Sequence, residues 1–290
     1  MSAEASAFYD ALRQEVLADP PATFSEENIF WFHKYYKGFR KKPKRYPFYK
    51  YNWGSRVSRA QEVIRGWPRQ AGKTWQVLDA GSGVGTESFF WSSLRDDVMV
   101  TGADLSIQRV ETAQARMAGF AEQWQRPFSG QFVEKNVLDL MAENRYDLIW
   151  AMEAISHIDP AEDFIRLAGQ SVTDEGALVI SDSHRLNPMM LWRIFEMRQE
   201  GVPERSQKEL STGEEVSLAN ERLFSVGELT PLLREAGFKR IEHQLTIFFP
   251  PTLADFGLLS LGRIMDRVGN ALPGMRLLGG IYTTVAYKRP

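Results

Sequence analysis

The stretch VLDAGSGVGT, Val77–Thr86, constrains the fold more than any other part of this 290-residue chain. A short apolar run ends in an acid, and glycine then recurs at Gly81, Gly83 and Gly85. TWQVLDA (Thr74–Ala80) reads as a buried strand, while GTESFFWSSLRDD (Gly85–Asp97) carries Phe89, Phe90 and Leu94 at helical spacing. The glycines therefore stand between a strand and a helix start. Without Cβ atoms they permit unusual dihedral angles and the close approach of a ligand. The helix start adds unpaired N–H groups and a partial positive charge. Such a turn cradles a small molecule.

The alternation continues along the chain. VMVTGADLS (Val98–Ser106) reads as a second strand ending in an acid. A helix follows, with Ser106 as its cap and Val110, Ala113, Met117 and Phe120 on one face. GQFVEKNVLDL (Gly130–Leu140) reads as a third strand and turn, and YDLIWAMEA (Tyr146–Ala154) as a fourth strand. PAEDFIRLAGQSV is a helix opened by Pro160. GALVISDSH (Gly176–His184) is a fifth strand, SVGELTPLLREAG (Ser225–Gly237) a last helix, and Phe238–Phe249 and Gly279–Pro290 two last strands. Strand and helix in turn predict an α/β fold, a parallel sheet covered on both faces.

Composition narrows the chemistry. With no cysteine, the chain has no disulfides, thiol nucleophiles or cysteine-held metals. No His, Asp or Glu cluster has metal-ligand spacing, so no metal is expected. The formal net charge of −2 exerts no global pull toward nucleic acid or membrane. The polar N-terminus is unlike a signal peptide, and no run of 18 apolar residues occurs. A cytoplasmic protein is the expectation.

The glycine turn alone does not choose a cofactor. A dinucleotide site wants G-x-G-x-x-G, and the third glycine position here is Thr86. The full series VLDAGSGVGT, VTGADLS, EKNVLDL, YDLIWAMEAISHI and GALVISDS resembles the class I S-adenosylmethionine-dependent methyltransferases, over roughly residues 74–184 and on through the last helix and strands. The resemblance implies a Rossmann-like sheet of seven strands, mostly parallel with an antiparallel last strand, carrying N-terminal and inserted helical cap segments. It divides the chain into an N-terminal cap, 1–73, and a methyltransferase domain, 74–290, with lid insertions at 183–224 and 250–278. By position it places Asp79 and Gly81 beside the methionine part of S-adenosylmethionine, with Gly83 and Gly85 shaping the turn beneath. It puts Asp104 on the ribose, Leu105 against the adenine, Asn136 and Val137 at the adenine edge, and Ala151 and Met152 beside the sulfonium. YNWGSR resembles a segment that closes over the cofactor in quinone-type methyltransferases, which makes Trp53 and Arg56 candidates for that cover.

The acceptor is less legible. MEAISHI looks like the glutamate-then-histidine pattern of small-molecule and lipid or quinone methyltransferases. Glu153, His157 and His184 all follow strand ends on the acceptor side, where a histidine near neutral pKa suits removal of a hydroxyl proton. Packing or capping is the competing reading of each. Asn28–Ala60 carries ten basic and no acidic residues interleaved with aromatics. That pattern suits a core with a solvated basic face, an anionic membrane surface, or RNA. Within Thr252–Gly280, Phe256, Leu259, Ile264, Met265, Val268 and Leu272 recur at roughly helical spacing, with Arg263, Asp266 and Arg267 opposite. Such a stripe belongs in a core, an acceptor pocket or a bilayer surface. The expectation is methyl transfer to a small hydrophobic acceptor, on oxygen first, with peripheral membrane contact, C- or N-methylation and an RNA substrate as alternatives.

Overall fold

The computed structural model describes residues 1–17, 43–188, 190–191, 195, 205–208, 215–218, 222–250, 252–272 and 274–290, with the backbone alone at 205–208, 215–218, 276 and 277. Its centre is one sheet of seven strands: β1 (Trp75–Ala80), β2 (Val98–Asp104), β3 (Gly130–Glu134), β4 (Tyr146–Met152), β5 (Val172–Ser183), β8 (Arg240–Thr246) and β9 (Ile281–Tyr287). They lie in the order β3-β2-β1-β4-β5-β9-β8, and only β9 runs antiparallel to its neighbours. A separate two-stranded ribbon joins β6 (Arg205–Lys208) to β7 (Glu215–Leu218). The expected sheet is present, with its antiparallel last strand.

The chain leaves β1 toward β2 and β3, then returns to the other side of β1 for β4 and β5. That reversal opens a crevice beyond the carboxyl ends of β1 and β4, where ligands of such sheets bind. β4 is buried on both faces apart from Met152, which accounts for its continuous apolar run.

Helices cover both faces. On one lie α1 (Ala3–Leu17), α2 (Tyr46–Gly66), α3 (Thr86–Leu94) and α4 (Ile107–Trp124). On the other lie α5 (Val137–Glu143), α6 (Ala161–Ser171) and α7 (Val226–Glu235). α1 was not foreseen as a separate element. Its signal was Ala5, Phe8, Tyr9, Leu12 and Val16, spaced three and four apart and all buried. These residues share one core with Trp75, Val77 and Phe90. Residues 1–17 and 46–66 thus pack into the main domain.

Two further boundaries differ from expectation. Val137–Leu140 is helix, not strand or turn: Asn136 caps it by accepting from the Leu138 N–H at 2.9 Å. The helix from Ala161 stops at Ser171, and Val172 already belongs to β5. The helix at Ser225 opens with a capping box, in which Ser225 and Glu228 bond reciprocally.

Beyond β8, α8 (Thr252–Asp255) and α9 (Leu259–Ala271) return to β9. Phe248 and Phe249 sit against Gly269 and Gly262, where any Cβ would come within 2.6 Å of a ring carbon. Phe249 also meets Phe48 of α2 edge-on at 5.8 Å. The α9 stripe, left open between a core, an acceptor pocket and a bilayer surface, divides: Leu259 and Met265 are half-buried against Phe48, Phe249 and Ala254, while Phe256, Ile264, Val268 and Leu272 face solvent and Asp266 is buried. The glycines explain this arrangement, since only they fit against the two rings. No helix among the described residues is long and apolar enough to cross a membrane.

Candidate active site

The turn after β1 is built from left-handed residues. Gly81, Gly83 and Gly85 have φ of 73°, 54° and 80°, a region costly for other residues. The Gly81 and Ser82 N–H groups donate to the Ala103 carbonyl, tying the turn to β2. Each glycine has its own surroundings. A Cβ on Gly85 would lie 2.6 Å from the Phe132 ring and one on Gly81 3.0 Å from Ala154, but one on Gly83 would enter open space. Gly83 is therefore the glycine of the turn that borders open space.

Asp104, at the end of β2, closes the turn from the side. One carboxylate oxygen accepts from the Gly83 N–H at 2.9 Å and the other from the Ser106 N–H at 2.9 Å. Arg109 lies 3.4 Å away. Next to it Leu105 is 71% exposed, an apolar side chain placed for a flat ring to cover. Asn136 and Val137 stand at the end of β3, with the Asn136 carbonyl engaged in capping. Ala151 is fully buried in β4, and Met152 is half-buried beyond it.

Asp79 sits deeper. It is buried and accepts from the Ser88 hydroxyl at 2.6 Å. Burial first, and then the nearby Glu87 carboxylate, push its pKa up to about 8. Glu87 was not anticipated. It stands in the first turn of α3, buried, and accepts from the Trp53 indole N–H at 2.8 Å. Its signal was an acid directly after the glycine turn, where a helix start favours negative charge.

Asp79 implies a measurable pH dependence. The folded chain keeps this proton up to about pH 8, while an aspartate in the unfolded chain releases it near pH 4. The folded state thus binds the extra proton in that window, and stability falls as pH rises through it. Asp79→Asn is expected to flatten part of this slope in urea titrations across the window. Asp182 and Asp266, also raised by burial, retain their share. An unchanged slope in the variant would assign the proton elsewhere.

The structure moves Trp53 from cover to core. It is buried, stacked on Phe8 at 5.8 Å and edge-on to Phe90 at 5.0 Å. The indole is satisfied there because its N–H reaches Glu87, so it supports α3 from beneath. Arg56, one turn on, points to the residue that follows β4. It is buried, and one guanidinium nitrogen pairs with Glu153 at 2.8 Å. The other, Nη1, is buried without a hydrogen-bond partner.

Glu153 follows β4 in a left-handed conformation, φ 51°. Its N–H donates to the Ser181 carbonyl, anchoring it to β5. Strain in a non-glycine residue at a strand end accompanies functional sites. Asp182, behind it, is buried and accepts from the Ser156 and Ser183 N–H groups. Its β9 neighbour Tyr282 has a buried hydroxyl without a partner.

The two candidate histidines differ in placement. His184 is fully buried, its Nδ1 3.2 Å from the Gly279 carbonyl and its ring edge-on to Tyr282. That placement, behind β9, suits holding the strand rather than meeting an acceptor. His157 is exposed on the short turn Ile155–His157. Among the described residues, no group of His, Asp and Glu could hold a metal ion.

The chemistry of the cradle matches S-adenosylmethionine. Asp79, Glu87 and Asp104 form an acidic lobe that a cationic amino group would relieve. The unpartnered Arg56 Nη1 and the buried, unpartnered Ser82 hydroxyl suit the polar end of the same molecule. When bound, the cofactor supplies an electrophilic methyl group; the protein's part is to orient the acceptor and exclude water.

A family model described as a methyltransferase domain matches residues 50–243. Erythromycin 3''-O-methyltransferase of Saccharopolyspora erythraea is 32% identical over 108 residues, 37% of this chain and 34% of that protein, so the match spans about a third of the relative. An S-adenosylmethionine-dependent methyltransferase from Archaeoglobus fulgidus superposes with a TM-score of 0.52 at 12% identity, over 88% of this chain and 99% of that one. Phosphoethanolamine N-methyltransferase 2 of Haemonchus contortus, solved with S-adenosyl-L-methionine, gives 0.50 at 14% identity, over 82% and 53%. These two share the fold. Matched over two thirds of its length by that model, the chain belongs to the methyltransferase-domain family.

Proposed function

We propose that this enzyme transfers a methyl group to a hydroxyl oxygen of a small, largely hydrophobic acceptor, and that Glu153 takes the hydroxyl proton. The observation that carries this reading is the Glu153 carboxylate, pinned by buried Arg56 at the carboxyl end of β4. The acceptor O–H bond gives its proton to Glu153, a C–O bond forms, and the C–S bond of the sulfonium breaks to leave a neutral thioether. Half-buried Met152 offers the apolar contact such an acceptor needs. The named 3''-O-methyltransferase relative supports oxygen as the accepting atom. The reading keeps a methyltransferase domain over 74–290, with the segments at 183–224 and 250–278 as insertions in it and 1–73 as an N-terminal addition.

The RNA alternative loses part of its support. In the described portion of the basic aromatic segment, Phe48 packs on Phe249, Trp53 on Phe8 and Tyr46 on Tyr9. These rings are not free to stack on bases. The remainder, Asn28–Lys42, lies outside the described residues.

The test is transfer of a labelled methyl group to a panel of alkylphenols, quinols and hydrophobic glycosides. Glu153→Gln is expected to lower kcat by about 10²–10⁴-fold, with S-adenosylhomocysteine affinity kept within a fewfold. An unchanged kcat would remove Glu153 from proton transfer; acceptors methylated only on nitrogen or carbon would overturn the choice of atom.

A further inference from the structure

The helix α4 packs against the glycine turn through a small residue. A Cβ on Gly85 would lie 3.2 Å from the Ala113 Cβ, so Ala113 lets the helix come close. Arg116 follows three residues on, on the same face. It is buried, and its guanidinium is engaged by three other elements. Nη1 donates to the Val84 carbonyl and, at 3.2 Å, to the Thr86 hydroxyl. Nε and Nη2 grip the two carboxylate oxygens of Glu15 in α1, at 2.7 and 2.9 Å. The cation also lies over the Phe89 ring, 5.1 Å from its centre. Burial pushes the Glu15 carboxyl up, but attraction to Arg116 outweighs it and holds that carboxyl below its ordinary range. The pair is therefore ionised at neutral pH, and its two-bond fork fixes the guanidinium plane.

The carbonyl that Arg116 holds belongs to the peptide joining Val84 to Gly85. A trans peptide is planar, with its carbonyl and N–H on opposite sides. On the far side the Gly85 N–H donates to the Ser82 carbonyl at 2.9 Å. Glycine at 83 and 85 leaves this plane little steric resistance to rotation. Gly85 also stands at the N-cap of α3 without a side-chain cap. Asp104 secures the preceding peptide through the Gly83 N–H. Arg116 gives the Val84–Gly85 plane an anchor of its own.

We propose that Arg116, locked by Glu15, is a positioning residue that fixes the Val84–Gly85 peptide and so preorganises the turn for S-adenosylmethionine. The proposal rests on the reading of this turn as the cofactor cradle. It gives α1 a part in cofactor binding, exerted through Arg116.

The experiment is calorimetric titration of the full chain with S-adenosylhomocysteine, each variant kept well below its unfolding midpoint. Arg116→Gln is expected to weaken binding by about 10–100-fold, the contribution of one hydrogen bond to a charged group. Glu15→Gln leaves Arg116 in place but loosens it, and should weaken binding by about threefold. The double variant should match Arg116→Gln alone, because Glu15 acts through Arg116. Arg116→Lys keeps the charge without the planar fork and should fall between wild type and Arg116→Gln. The control is Arg95→Gln, just past the other end of α3, where a buried arginine pairs with Asp97 and donates to the Ile64 and Trp67 carbonyls. It should lose stability and keep wild-type affinity. Amide hydrogen exchange at Gly85 should quicken in Glu15→Gln and stay unchanged in Arg95→Gln. Wild-type affinity in Arg116→Gln overturns the proposal, as do additive losses in the double variant or an equal loss in Arg95→Gln. If Arg116→Gln does not fold, Glu15→Gln decides, and unchanged affinity with unchanged Gly85 exchange overturns the proposal. No binding by the wild type overturns the cofactor reading itself, and the proposal with it.

Discussion

Asp104→Ala is expected to lower S-adenosylhomocysteine affinity by about 10²–10⁴-fold in calorimetric titration. A carboxylate accepting both ribose hydroxyls contributes two charge-assisted hydrogen bonds of about 1.5–3 kcal/mol each, and each 1.4 kcal/mol is about tenfold. The loss does not stop at the ligand. Asp104 also holds the Gly83 and Ser106 N–H groups, so its removal leaves the cradle without its side wall. Asp104→Asn keeps one carbonyl acceptor and is expected to fall between wild type and alanine. NAD serves as the control and is expected not to bind either form. Alanine-variant affinity within a fewfold of wild type would place the ribose elsewhere.

Gly85→Ala is expected to cost about 2–5 kcal/mol of stability in denaturant titration. The left-handed backbone at φ 80° contributes about 1–2 kcal/mol of strain for an L side chain. The new Cβ meets the Phe132 ring at 2.6 Å, and forced overpacking contributes about 1–3 kcal/mol more. The ring has little room to withdraw, since it stacks on Phe128 at 4.9 Å and meets Phe89 edge-on at 5.3 Å. Gly83→Ala is the informative partner. Its Cβ meets nothing, so stability should fall only by the backbone strain, about 1–2 kcal/mol, while the added methyl intrudes on the ligand. A Gly85 variant as stable as Gly83→Ala would show that the Phe132 contact relaxes freely.

The two substitutions separate what is alike in sequence. The three glycines of VLDAGSGVGT look equivalent as letters. In the structure a Cβ on Gly85 would strike the Phe132 ring, one on Gly81 would press on Ala154, and one on Gly83 would enter open space. The third strand shows the same limit. GQFVEKNVLDL read as a strand and turn, yet Asn136 supplies a cap and the chain turns into α5. Local hydrogen bonding by one side chain outweighed the apolar pattern.

The antiparallel last strand was an implication of the family resemblance, whereas residue pattern by itself determined the strand–helix alternation, the glycine turn between β1 and α3 and the acid ending β2. The latter three follow from short-range rules: side-chain period, caps, and glycine where φ must be positive. Only the tertiary structure decided which residues meet across the chain. It paired Arg56 with Glu153 and joined Glu87 to Trp53, over separations of 97 and 34 residues. It sent His184 behind β9 and turned the apolar side of α9 outward. The physical reason is the same in each case. A charged or apolar side chain can be satisfied by several partners of equal local merit, and close packing of the whole chain, such as the two phenylalanine rings that admit only glycine on α9, selects among them.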